Sequence, residues 1–149
     1  MLPNQIIIVQ DTWRQVVPIA DHAASLFYDR LFEIDPNSRG LFAGVDMESQ
    51  GKKLAQALAA VVDALEQIET LVPKLRSLGR RHVGYGVTDA DYDTVGAALL
   101  WTLEKGLGDA WTDEAKAAWT AAYALVADVM RTGASEVNRQ PAGPLSISA

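Results

Sequence analysis

The sequence contains no cysteine. That excludes disulfides, thiolate metal sites, a cysteine nucleophile and covalent attachment of a prosthetic group through C-x-x-C-H. Histidine is almost as scarce, with only His22 and His82 present. Basic residues are outnumbered 13 to 19, for a net charge of −6, and no basic tract occurs. Nucleic acid is therefore not expected as a partner. No apolar run approaches the length of a membrane span. The start, MLPNQIIIVQ, lacks a basic region and a cleavage site, so no signal peptide is expected and the reading is a cytoplasmic protein. There is no internal repeat. Equally missing are a Ser/His/Asp set at plausible spacing, H-E-x-x-H, a Gly-rich phosphate loop and a dinucleotide fingerprint.

What is present is a chain of 149 residues, 49% of them apolar, enough for one domain with a sizeable core. The apolar periodicity is helical nearly throughout. A first helix is expected over residues 4–17, with Ile6, Val9, Trp13, Val16 and Val17 on one side, ended or kinked by Pro18. Asp21 suits the cap of a second, running to about Ile34, with Ala24, Phe27, Tyr28, Leu31 and Phe32 facing inward. Asp35-Pro36 opens a short third helix ending near Phe42. Asp46 caps a long fourth with the stripe Leu54, Ala57, Leu58, Val61 and Leu65. Thr70 is the expected cap of the fifth, with Pro73 in its first turn. Thr88 and Asp91 form a capping-box-like start to the sixth, with the stripe Tyr92, Val95, Leu99 and Leu103. Thr112 caps the last, where Ala115, Ala118, Trp119, Ala122, Val126 and Val129 or Met130 follow. Its small alanines let a neighbouring helix approach closely. The expected domain is residues 1–133, followed by a disordered tail over 134–149 that is polar and holds Pro141, Gly143 and Pro144. The fold class is all-α, about seven helices around a single core.

The stretch LVPKLRSLGRRHVGYGV, Leu71 to Val87, carries the chemistry. Leu71, Leu75, Leu78 and His82 lie at helical spacing, so His82 takes a place where the pattern expects leucine. Gly84 and Gly86 end the helix just beyond it. An imidazole in that position can ligate a metal through one nitrogen and donate to a carbonyl through the other. A lone buried histidine is nonetheless more often a hydrogen-bonded core residue. A buried Tyr28 usually finds a backbone carbonyl, and Phe42 by default fills core. Gln50 extends the fourth helix's stripe backward, where an exposed helix end and a functional role are equally good accounts. Tyr28, Gln50 and His82 are the three polar groups that point at one possible cavity. They supply too few ligands for zinc. One imidazole facing two hydrogen-bonding groups across an apolar space suits a haem pocket with an open position for a ligand.

Several segments carry a family likeness: LFYDRLFEIDP, the LF of SRGLFAG, SQGKKL, LGRRHVGYGV, DYDTVGAALL and WTDEAKAAWTAAYALVADVM. Over about residues 5–131 the chain resembles the bacterial single-domain globins. These include the Vitreoscilla-type haemoglobins and the globin domains of flavohaemoglobins. Within them it looks closest to the branch of the Hell's Gate globin and neuroglobin-like proteins. The resemblance implies a globin fold holding non-covalent haem b, with His82 as the proximal iron ligand. It makes Tyr28, Gln50 and Leu54 the distal pocket, and Phe42, Val87, Tyr92 and Leu99 haem contacts. Lys53 matches a position near a haem propionate, and Arg81 is a weaker candidate for the same role. The implied ligands are O2, CO and NO, bound for oxygen binding or for NO detoxification. The latter is an NO dioxygenase activity that would need an external reductase. A gas sensor acting through a separate partner is the alternative, and a haem-free interaction protein is a third class disfavoured by the retained residues. A monomer or weak homodimer is expected. Two departures stand out. Gln50 replaces a distal histidine, which argues against the bis-histidine iron of neuroglobin itself, though not against a six-coordinate state with water or another residue. Tyr92 matches the tyrosine of a proximal histidine–tyrosine–glutamate relay, but the glutamate position falls on Ala134, with Glu136 two places on at a fraying end. An incomplete relay puts strong peroxidase activity in doubt. His22 is left as a surface residue.

Overall fold

A computed structural model describes residues 1–138, and they form an all-α fold. Six α-helices follow in order: α1 Pro3–Val16, α2 Ala20–Ile34, α3 Met47–Ala64, α4 Ile68–Gly84, α5 Asp89–Leu107 and α6 Asp113–Asn138. The expected short third helix is a 3-10 stretch, Pro36–Phe42, between α2 and α3. Among the described residues no helix is long and apolar enough to cross a membrane.

Caps read from the sequence hold where a side chain has a free amide to accept from. Asp46 accepts from the Glu48 amide and the Ser49 hydroxyl. Asp91 accepts from the Thr88 amide at 2.8 Å, and Thr112 from the Ala115 amide at 3.1 Å. Three expected details differ. The α2 helix begins at Ala20, because a 3-10 turn through Pro18 delivers the chain already coiled, so Asp21 lies inside the first turn. The α4 helix begins at Ile68 for the same reason, following the 3-10 turn Leu65–Gln67. Thr70 is then a first-turn residue bonded back to Gln67 O, and Pro73 lies inside the helix. The α6 helix continues through Gly133 to Asn138 instead of ending near Gly133. Of the expected disordered tail, residues 139–149 lie outside the described residues.

The core is built where α1, α2, α5 and α6 meet. Val9, Ala98 and Ala118 are 0% exposed, and Trp119 is 3% exposed. A buried indole N–H needs an acceptor. Trp119 Nε1 donates to Thr12 Oγ1 at 2.8 Å, and that hydroxyl donates to Ile8 O at 2.7 Å. The α1 stripe stops at Val16: Val17 is exposed, because the 3-10 turn rotates it off the helical face. On α3, Ala57 also faces solvent. The α4 helix lies along α6, which fixes the segment bearing His82 against the rest of the bundle.

Candidate functional site

His82 sits in the last turn of α4 and is half-buried. Its Nδ1 donates to Leu78 O, one turn back, at 2.7 Å. That bond fixes the tautomer and leaves the Nε2 lone pair free, with no hydrogen-bond partner for it among the described residues. Burial pulls the imidazole below its ordinary range, the Leu78 bond opposes this, and the Arg81 charge adds to the lowering. The ring is therefore neutral near pH 7, the form that ligates a metal. The backbone is held too. The His82 carbonyl accepts from the amides of Tyr85 and Val87, each at 3.1 Å. This is possible because Gly86, at φ 91°, turns the chain back. Tyr85, three residues on and exposed, lays its ring 5.6 Å from the imidazole.

Tyr28 on α2 and Gln50 on α3 are brought together. Gln50 Nε2 donates to the Tyr28 hydroxyl oxygen at 3.2 Å. Tyr28 is buried at 6% exposure, and burial raises its pKa, partly offset by the Gln50 bond, so it stays a donor. Its ring is wedged edge-on by Phe27 at 4.9 Å and Phe42 at 5.3 Å. Phe42 also packs on Phe32. The approach of α3 to α2 depends on Gly51, where a Cβ would stand 3.1 Å from Ala24 Cβ. Sequence reasoning passed over Gly51; an isolated glycine inside a helical pattern was the available clue.

The other expected residues are distributed as follows. Leu54 and Val87 are half-buried, and Leu99 is buried at 7% exposure. A small apolar cavity of about 30 Å³ lies behind Leu54 and Leu99. Lys53 and Arg81 are exposed. Tyr92 is buried, its hydroxyl has no partner among the described residues, and burial raises its pKa. It borders a cleft of about 470 Å³ with Val83, Val87, Arg131 and Ala134. Glu136 does not lie on a fraying end. It is on ordered helix and pairs with Arg80 at 2.8 Å and Arg76 at 3.8 Å.

These residues fit haem. Among the described residues no three His, Asp or Glu side chains gather into a cation cage. A single free imidazole nitrogen thus suits a metal that brings its other ligands with it, as iron in a porphyrin does. Leu54 and Leu58 on α3 and Val83 at the end of α4 are only partly buried, which leaves apolar side chains that can pack against such a group.

A helical bundle that presents His82 at the end of one helix and pairs Tyr28 with Gln50 between two others is a framework able to take haem. The globin family model matches residues 25–130, and the chain belongs to the globin family. Among curated relatives, the flavohemoprotein of Rhizobium meliloti (strain 1021) is 32% identical over 134 residues, spanning 86% of this chain. The Bacillus subtilis (strain 168) flavohemoprotein is 29% identical over 131 residues. The chain spans only 33% of the length of each of these two relatives. A crystal structure of a hexacoordinated heme protein from an anhydrobiotic tardigrade superposes with TM-score 0.83. It covers 91% of this chain and 96% of that one, at 16% identity, a likeness of fold. Family membership implies haem as the cofactor and a diatomic gas as the ligand.

Proposed function

We propose that the protein holds non-covalent haem b through His82 Nε2 and binds O2, CO and NO reversibly beside Tyr28 and Gln50. When bound, the haem supplies a ferrous iron that takes a diatomic gas. The observation that carries the reading is the direction of the Tyr28–Gln50 hydrogen bond. Because Gln50 donates to the tyrosine oxygen, the phenolic proton is not used by Gln50. Tyr28 can then donate to a ligand that has gained partial negative charge, while Gln50 and the two phenylalanines hold the ring in place. Phe42, Leu54, Val87 and Leu99 supply apolar walls that keep water out, with Tyr92 at the proximal edge. Lys53 and Arg81, both solvent-facing, are the cations for the haem propionates. We place the protein in the cytoplasm as a monomer or weak homodimer.

The Tyr28→Phe variant tests this. Losing a hydrogen bond worth roughly 1 kcal/mol speeds O2 release about fivefold. A dissociation rate within about twofold of the parent removes Tyr28 from the role.

Oxygen binding and NO detoxification both use this site. Detoxification consumes one O2, one NO and one electron per nitrate, and the described residues offer no flavin or nicotinamide site to supply that electron. The flavohemoprotein relatives, three times as long, support pairing with an external reductase. Nitrate formed once per haem without a reductase, and repeatedly with one, supports detoxification. Failure to recover ferrous protein with any cell extract leaves oxygen binding. A partner captured in only one ligand state favours a gas sensor.

A further inference from the structure

The helix that presents His82 is fixed by an unusually close crossing. Gly79 on α4 and Gly133 on α6 are both buried. A Cβ on Gly79 would stand 2.7 Å from the carbonyl carbon of Met130, and nearer still to its oxygen. A Cβ on Gly133 would stand 2.9 Å from the carbonyl carbon of Arg76, again with the oxygen nearer. The contact is reciprocal: each glycine faces the carbonyl three residues before the other. Both obstacles are backbone, which cannot swing aside as a side chain tip can. Ordinary van der Waals contact begins at 3.4 Å, so any side chain at either position pushes the two helices apart. One turn past Gly133 the same edge is closed by charge, with partners on both sides of Gly79. Glu136 on α6 reaches Arg80 and Arg76 on α4. His82 lies three residues past Gly79, a rise of about 4.5 Å along the helix.

We infer that Gly79 and Gly133, held together by Glu136, are positioning residues for His82. They set how far the imidazole stands out from α6, and so the length and strain of any bond it makes to iron. The inference rests on the haem reading above. Groups behind a metal-ligating histidine orient it, and their loss costs about 10–100-fold in metal affinity. Here that supporting role falls to a backbone contact as well as to the Leu78 carbonyl.

The test is Gly133→Ala, which alters no residue proposed to touch haem and leaves the His82 side chain and its Leu78 bond intact. The control is Thr132→Ala, an exposed neighbour on the same helix. Each is read by resonance Raman of the ferrous protein and by haem transfer to an apo-acceptor. The expected result is a displaced iron–histidine stretching band and at least about tenfold faster haem loss in Gly133→Ala, with both unchanged in Thr132→Ala. A folded Gly133→Ala with the parent band and parent haem loss overturns the inference. Should that variant not fold, Glu136→Gln decides. It replaces a part-exposed side chain and is expected to displace the band in the same direction by less; an unmoved band overturns the inference. If the parent protein takes up no haem at all, the haem reading itself fails, which is a different outcome.

Discussion

Two sides of the bundle are built to different rules. Where α1, α2, α5 and α6 meet, side chains are sealed: Val9, Ala98 and Ala118 have no exposed surface, and the Trp119 indole is satisfied by Thr12. Along α3 and around the end of α4, the elements that carry Gln50 and His82, Leu54, Leu58, Leu78 and Val87 are only partly buried at the margin of the core. On the function proposed above, this partly covered side is the one that haem would complete, while the sealed side would hold without it.

That difference can be broken first on the sealed side. Trp119→Ala removes a fully packed indole and the hydrogen bond it gives to Thr12, whose hydroxyl keeps its bond to Ile8 O. It should cost about 3–5 kcal/mol in denaturant unfolding, with and without haem alike. A loss below about 1 kcal/mol would mean that the sealed side is not the anchor. Haem itself tests the other half. At free haem about a thousandfold above its Kd, linkage predicts roughly 4 kcal/mol of added stability. His82→Ala should remove most of that gain while leaving the haem-free protein nearly unchanged. The smaller contrast is Leu54→Ala. A half-exposed leucine should cost about 1 kcal/mol or less without haem, against about 2–5 for a sealed one. An equal loss in both contexts would show that Leu54 belongs to the sealed core.

The same division explains what could be read from the amino acids. Helices on the sealed side follow from periodicity, and Val9, Trp13, Ala118 and Trp119 fall where it puts them, because a closed apolar face is what periodicity records. Caps that depend on one side chain and one amide, at Asp46, Thr88 and Thr112, were equally legible. The starts of α2 and α4 were not, since a preceding 3-10 turn supplies the nucleus that a capping side chain otherwise provides. At the site, His82, Tyr28 and Gln50 stood out as polar groups on apolar stripes. What sets them in place did not. Gly51, Gly79 and Gly133 act by permitting backbone approach, and a missing side chain leaves no trace in a hydrophobic pattern. The order of the helix end at Glu136 is not legible either, because it is held by arginines on another helix and not by its own composition.

The finest contrast between the two sides is their response to alkali. Tyr28 and Tyr92 belong to the proposed site, whereas Tyr123 sits on α6 and donates to the Tyr92 carbonyl on α5. Burial raises all three phenols above their ordinary value near 10, Tyr123 furthest. The sign follows from linkage. Above pH 10 the unfolded chain loses phenolic protons that the folded chain keeps, so stability falls as pH rises. The contribution is fully present below about pH 10 and disappears as pH climbs through the raised folded values. Melting temperature should therefore decline from near pH 10 upward, with phenolate absorbance from these residues appearing late. Tyr28→Phe should remove only the part of the decline belonging to Tyr28, and haem binding should delay the ionisation of Tyr28 and Tyr92 by covering them further. The Tyr123 part should persist in both cases. If haem instead delayed all three phenols equally, the two sides would be one cooperative unit, and the division between a sealed core and a haem-completed face would be lost.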